Sequence, residues 1–474
     1  MVFSSLLFIF GFLPIFLGLY YMTPVRWRNI TALVGSCFFY AWGAPQFIFV
    51  LCVSSIIDYV LSRIIHKTHR KKVFLIISLV LNIGLLGYFK YANFFVGEFN
   101  DLLGLFGFTG AHWTYIALPI GISFFTFQKI SYLVDVYRGT TTPARNVFDF
   151  LLYVVLFPQL IAGPIVRYHD VAEQLKTRVH SLEKIFEGIY RFCVGLGKKV
   201  LIANVMGSVA DSIFDLTGSP DMTLSFAWVG IIAYALQIYF DFAGYSDMAI
   251  GLGKMMGFDF LENFNAPYIS QTITEFWRRW HISLSQFMRE YIYIPLGGNR
   301  VSSRRTYINM LIIFFISGLW HGAAWTFIVW GVYHGIFICI DKMFWGSISK
   351  KLPKIINIGI TFFIVLVGWI FFRSETFAQA GYYLQAMFSL ASSTTDVLWV
   401  DVIGNRGWLV FALGLFFSFI PGFKLYEWVV GKLKTSQQGF FRICIKACTA
   451  GLLLALSVLS LANASFNPFI YFRF

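Results

Sequence analysis

The sequence predicts an all-α polytopic membrane protein, with about ten membrane segments packed as one domain over residues 1–474. Hydrophobic residues make up 58% of the chain and charged residues only 13%, whereas about a quarter of a soluble domain is charged. Mean hydropathy is +0.70. Apolar runs recur, and about 20 apolar residues cross a bilayer as a helix. The runs are 2–22, 46–65, 73–95, 114–134, 223–240, 324–340, 355–372 and 447–463.

The net charge of +14 does not indicate a nucleic-acid partner. Lys and Arg lie in short loops between apolar runs, where positive charge marks the cytosolic side of a membrane protein. Arg26 and Arg28 follow the first run, and a basic loop at 67–72 follows two more. Applied along the chain, this rule predicts that both termini are external.

The segment 146–166 is apolar but contains Pro158, Gly163 and Pro164. Basic loops flank it on both sides, which favours a re-entrant hairpin over a full crossing. Irregular backbone at membrane depth must be buried in protein or line a cavity.

His321 is the first candidate for catalysis. Its motif, Ser317–Gly322, joins the apolar segments 306–320 and 324–340. A helix over 306–320 rises about 22 Å, short of the ~30 Å hydrocarbon core, so the histidine is expected at the apex of a hairpin inside the membrane. Ionisable groups there are usually functional, and imidazole exchanges protons near neutral pH. The alternative is a neutral histidine that hydrogen-bonds a neighbouring helix.

A second cluster spans Glu275–Ser285 and is rich in Trp and Arg. Such a pattern is typical of a helix at the membrane surface, and simple anchoring is one interpretation. The other makes it the mouth of a tunnel, where Arg278 and Arg279 attract the phosphates of a nucleotide thioester such as acetyl-CoA. Trp277, Trp280 and Trp320 would line that donor site, and His281 would face the chemistry. Further basic residues follow nearby at Arg300, Arg304 and Arg305.

The other polar residues in apolar surroundings have plainer interpretations. Asp241 and Asp247 are expected to pair with Arg or Lys of the interfacial segment, although general-base work by one of them is an alternative. His334 is expected to be a packed core residue. The six cysteines have no metal-ligand spacing, so we expect free thiols and no metal site.

Several motifs together resemble the membrane-bound O-acyltransferase (MBOAT) family, in particular its bacterial alginate O-acetylation branch. The resemblance extends from the opening Met1–Ser5 to the closing Phe466–Phe469. The motifs that carry it between these ends are Leu118–Phe124, Tyr239–Asp247, Trp277–Ser285 and Leu319–Gly322.

The resemblance implies an MBOAT fold with re-entrant and interfacial helices around a central funnel. It also implies that His321 is catalytic and that His281 occupies the second site position. No tightly bound cofactor is expected, and acetyl-CoA or an acyl carrier protein would be the acyl donor. The implied partners are an exported SGNH-type acetyltransferase, polysaccharide-export machinery and membrane lipids. The implied location is the bacterial inner membrane, which puts the predicted external termini in the periplasm.

Together these observations predict an O-acyltransferase that moves an acetyl group across the membrane for an exported, alginate-like polysaccharide. One alternative is transfer of D-alanyl or another acyl group to a different cell-wall polymer. A transporter or flippase of a lipid-linked sugar belongs to another class, since broken helices and intramembrane Asp residues also occur there. A non-catalytic platform that recruits an exported transferase is the third possibility.

Overall fold

The computed structural model describes residues 1–389, 397–422 and 439–463. Within these ranges the chain is helical and contains no β-strand. The closing motif Phe466–Phe469 lies outside the described residues. The α-helices of the first half are α1 Leu13–Met22, α2 Arg28–Gly43, α3 Ile48–Lys67, α4 Lys71–Leu86, α5 Ala92–Leu105, α6 Ile122–Arg138, α7 Val147–Val155, α8 Phe157–Leu160, α9 Tyr168–Lys176, α10 Leu182–Gly197, α11 Asn204–Phe214 and α12 Leu224–Met255.

The second half begins with two short helices, and two still shorter ones lie among the longer helices that follow. These are α13 Ile273–Arg279, α14 Ile282–Met288, α15 Ser303–His321, α16 Trp325–Ile340, α17 Gly346–Ile348, α18 Lys354–Arg373, α19 Phe377–Phe388, α20 Trp399–Val402, α21 Gly404–Phe419 and α22 Gly439–Asn463. Wider π-helical turns occur at Leu7–Phe12, Gly87–Tyr91, Lys198–Ala203, Arg289–Tyr293 and Asp341–Trp345, and 3-10 turns at Val25–Trp27, Pro45–Phe47, Pro267–Ile269, Ser349–Lys351 and Ile420–Gly422.

Seven helical stretches of the described chain are long and apolar enough to cross a membrane, and Leu7–Met22 is a shorter apolar helix. The long ones are Pro45–Lys67, Lys71–Leu105, Leu182–Phe214, Leu224–Met255, Trp325–Lys351, Lys354–Arg373 and Phe441–Asn463. The prediction of an all-α polytopic membrane protein is therefore confirmed.

The chain divides into two compact units. One contains Met1–Gly188 with Ala249–Leu261, and the other contains Ile189–Met248 with Glu262–Phe474. Every residue proposed above for the chemistry belongs to the second unit.

In the first unit, the segment 146–166 is broken as predicted. It forms α7, of nine residues, and α8, of four, with a non-helical residue at Leu156 between them. Neither helix is long enough to cross a bilayer. Residues 152–168 are buried, so the irregular backbone here is enclosed by protein.

Candidate active site

The hairpin of α15 and α16 places His321 at its tip, as predicted. Helix α15 ends at His321, and α16 begins at Trp325 after a turn of three residues. The two helices pack backbone to backbone, because Gly318 lies against the carbonyl oxygen of Phe327 and Gly331 against that of Phe314. A side chain at either glycine would push the helices apart, so these glycines fix the position of the tip.

The His321 imidazole is enclosed by aromatic rings and is only 4% exposed. Its ring centroid lies 4.9 Å from that of Trp320, 4.9 Å from that of Trp330 and 5.2 Å from that of Phe372. All three rings meet the imidazole edge to face. In such a low-dielectric enclosure, charge that develops during a reaction interacts strongly with its surroundings.

The second histidine, His281, is fully buried at the break between α13 and α14. Its backbone is left-handed, with φ of 44°, a strained conformation for a residue other than Gly. Its ring contacts that of Phe242 at 4.7 Å and that of Trp320 at 6.0 Å. Because Trp320 also contacts His321, one indole touches both candidate histidines.

The tryptophans of the second cluster are core residues. Trp277 is 7% exposed and Trp280 is 3% exposed. Trp277 packs on Trp330 at 5.7 Å, and Trp280 packs on Trp369 at 5.0 Å. The interpretation of these indoles as a membrane-surface anchor is therefore wrong. Periodicity alone could not reveal this, since rings at helical spacing suit either a protein core or an interface.

A cavity of about 610 Å³ opens beside this cluster. Its wall includes Trp277 and the cationic side chains of Arg278, Arg289 and Lys342. Among the described residues of its lining, the one carboxylate is that of Asp341, which accepts a hydrogen bond from the backbone N–H of Thr274 at 2.7 Å. The cavity is therefore a cationic pocket with an apolar indole wall, which suits a phosphorylated ligand with an apolar arm.

The cavity extends to Ser317, one helical turn before His321 on α15. Residues four apart on a helix share a face, so Ser317 and His321 are neighbours along one side of α15. His321 itself is not among the lining residues.

The predicted arginines separate into two groups. Arg278 is exposed and lines the cavity. Arg279 instead donates to the Glu275 carboxylate at 2.8 Å and to the Asn265 carbonyl at 3.1 Å. Arg300, Arg304 and Arg305 are not lining residues. Arg289 and Lys342, which do line the cavity, were not proposed as site residues from the sequence, because no motif distinguishes them. Ser317 also lines it; it opens the predicted His321 motif, but nothing in the sequence assigned it a role of its own.

The intramembrane carboxylates are ion-paired, but with different partners from those expected. Asp241 lies 2.8 Å from Lys199, and both side chains are almost fully buried. Asp247 lies 2.6 Å from both Arg191 and Lys198. The prediction of partners from the interfacial segment was wrong, because π-helical and α-helical turns at 189–203 bring these cations to α12 instead.

His334 is fully buried between aromatic rings, at 5.3 Å from those of both Trp277 and Trp330. The prediction that it is a packed core residue is confirmed. No group of three or more His, Cys, Asp or Glu side chains in the described ranges could hold a metal ion.

The chain is similar in sequence to known proteins. Residues 144–377 match the model of the membrane-bound O-acyltransferase family, MBOAT. The chain is 42% identical to the probable alginate O-acetylase AlgI of Azotobacter vinelandii, with all of both chains covered. It is 46% identical to the Pseudomonas aeruginosa protein of that name, over 83% of this chain and 76% of the relative.

A third relative is named for a different substrate. The peptidoglycan O-acetyltransferase of Helicobacter pylori is 38% identical over 82% of this chain and 80% of its own length. The full-length similarity, the family match and the all-helical membrane fold agree. The chain belongs to the membrane-bound O-acyltransferase family.

Proposed function

We propose that the chain is an O-acetyltransferase that takes an acetyl group from a cytosolic thioester and passes it across the membrane for O-acetylation of an exported, alginate-like polysaccharide. The activity is assigned to residues 1–474 as one acyltransferase domain. The relatives named for alginate O-acetylation support this substrate. The observation that carries the proposal is the cationic cavity that reaches Ser317, one turn from the enclosed imidazole of His321.

In the proposed reaction, the phosphates of acetyl-CoA bind Arg278 and Arg289, and the acyl arm extends past Trp277 toward Ser317. His321 removes the proton of an acceptor hydroxyl as that oxygen attacks the thioester carbonyl. The tetrahedral intermediate then collapses, its C–S bond breaks, and the imidazolium returns the proton to the departing thiolate. An acyl carrier protein carries the same thioester arm and is the alternative donor.

The acceptor hydroxyl belongs either to the polysaccharide or to an exported SGNH-type acetyltransferase that acts next. We place the protein in the bacterial inner membrane with both termini in the periplasm, because its basic loops then face the cytosol. Polysaccharide-export machinery is the expected neighbour in that location.

Purified wild-type protein and His321→Ala, compared with labelled acetyl-CoA and an alginate-producing extract, test the proposal. We expect the variant to keep its elution profile and thermal unfolding but to lose transfer by a factor of roughly 100 or more. Wild-type transfer by His321→Ala would overturn the catalytic role. Acetylation of peptidoglycan but not of alginate would show that the acceptor is a cell-wall polymer and not an alginate-like polysaccharide.

The rival classes give different results in the same preparation. An acyltransferase exchanges acyl groups with labelled acetyl-CoA in the absence of any transport substrate. Counterflow of a lipid-linked sugar without acyl exchange would favour a transporter. Acetylation that needs the polypeptide but tolerates His321→Ala would favour a non-catalytic platform.

A further inference from the structure

Asn263 stabilises the turn that carries His281 through hydrogen bonds. Its backbone carbonyl accepts a hydrogen bond from the Ile282 N–H at 3.0 Å. Its side-chain Oδ1 accepts from the Ser283 N–H at 3.2 Å and from the Ser283 hydroxyl at 2.9 Å. The same Oδ1 lies 3.2 Å from Nδ1 of His281. Asn263 is 1% exposed and His281 is fully buried, so protein groups alone define this arrangement.

The orientation of the Asn263 amide follows from its partners. The backbone N–H of Ser283 can only donate, so the Asn263 atom that faces it must be the oxygen. The Nδ2 group of Asn263 has no hydrogen-bonding partner among the described residues, and exchanging the two atoms would leave the Ser283 N–H facing a donor. Since Oδ1 can only accept, Nδ1 of His281 must be the donor and must carry a proton.

The ring is neutral at physiological pH. Burial lowers the pKa of His281 to about 3, and within the described chain no carboxylate is paired with it. A neutral imidazole has a single N–H, and the Asn263 contact uses it. Nε2 therefore holds a lone pair, and it has no partner among the described residues.

We infer that Asn263 is a positioning residue that holds His281 as the Nδ1–H tautomer, so that Nε2 accepts a hydrogen bond from a substrate O–H or N–H. The inferred role of Asn263 in catalysis rests on the proposed acyl transfer. The assignment of the His281 tautomer is independent of it. Neutral His281 then cannot donate to the oxyanion of the tetrahedral intermediate. Its partner is a hydrogen-bond donor, either the acceptor hydroxyl or an amide N–H of the thioester arm.

The tautomer is measured directly by ¹⁵N NMR of histidine-labelled protein, with the His281 signal assigned by its loss in His281→Asn. We expect a protonated Nδ1 and an unprotonated Nε2 in the wild type. Asn263→Leu removes the acceptor and should shift the proton toward Nε2. Asn263→Asp keeps an oxygen acceptor and exchanges the unpartnered Nδ2 for a second oxygen; a carboxylate favours a protonated neighbour, so Nδ1 should stay protonated. Ser283→Ala is the control, since it removes a different donor to the same oxygen.

Activity provides the second measurement. We expect Asn263→Leu to lower kcat about 10- to 100-fold with little change in KM, and Asn263→Asp to restore most of that loss. Wild-type protein with its proton on Nε2 would overturn the inference whatever the activity. Equal kcat losses in the Leu and Asp variants, with both folded, would reduce Asn263 to a structural role. An active His321→Ala variant would instead refute the proposed function and leave the tautomer untouched.

Discussion

Gly331 on α16 lies directly against the carbonyl oxygen of Phe314 on α15, so close that a β-carbon at residue 331 would overlap that oxygen. Gly331→Ala should therefore force the hairpin apart. We expect a loss of about 1–3 kcal/mol in the free energy of unfolding, because an added methyl here meets backbone that cannot rotate away. Activity should fall as well, since the displaced hairpin carries His321. Thermal unfolding in detergent and acetyl transfer measure the two effects.

Gly359→Ala is the matched control for that experiment. A β-carbon at residue 359 on α18 would meet no described atom within 4 Å beyond its chain neighbours and its own helix backbone. Alanine is favoured over glycine in helices by about 1 kcal/mol, so this variant should be as stable as the wild type or more so. Similar destabilisation by both variants would argue against the close approach of α15 and α16.

The cationic cavity predicts that replacing either of two arginines in its wall weakens the binding of acetyl-CoA. Arg278→Ala and Arg289→Ala should each raise KM for acetyl-CoA roughly tenfold or more, because each removes a charge-assisted contact to phosphate. The kcat should change little, since both side chains are proposed to bind phosphates and not the reacting carbonyl. Arg304→Ala is the matched control, as Arg304 is exposed, lies in the same basic segment and does not line the cavity. Equal KM changes in all three variants would indicate general charge effects.

The position of Ser317 in the cavity wall predicts the route by which the acyl arm reaches His321. Ser317→Phe should fill the end of the cavity and abolish transfer, whereas Ser317→Ala, which adds no volume, should keep most activity. Binding of a nucleotide that lacks the acyl arm should survive in both, because the cations lie elsewhere in the wall. Full activity in a folded Ser317→Phe variant would show that the arm takes another route.

The left-handed backbone at Ala266 predicts that a glycine at this position stabilises the protein. Ala266 has φ of 44°, and a left-handed conformation costs a residue with a β-carbon about 1–2 kcal/mol. Gly loses more chain entropy on folding, about 0.5–1 kcal/mol, so Ala266→Gly should leave a net gain of a few tenths to about 1 kcal/mol. Thermal unfolding measures the change.

Ala447→Gly gives the opposite sign as a control, because Ala447 is exposed within α22, where Gly is about 1 kcal/mol less favourable than Ala. A loss of stability in Ala266→Gly equal to that in Ala447→Gly would mean that the left-handed turn stores no strain.

The sequence predicted the hairpin and its histidine because the relevant signals are local. Two apolar segments flank a Gly-bounded histidine, and this local pattern predicts two helices joined by a tight turn at that histidine. Asn263 was missed because its contact with His281 spans 18 residues between two irregular segments, which have no periodicity to relate them. The ion pair between Arg279 and Glu275 could have been predicted from the sequence, since residues four apart on a helix face each other.

The buried pair of Lys199 and Asp241 has a consequence for biosynthesis. A single charge at the centre of a helix costs about 2.5–3.5 kcal/mol to insert into a bilayer. Lys199 leaves the ribosome before Asp241, so the helical stretch Leu182–Phe214 is released to lipid with an uncompensated ammonium unless the insertion machinery retains it. Asp241→Leu should therefore leave chains that stall at the translocon and are degraded, which pulse-chase labelling would detect as shortened lifetime before any defect in catalysis.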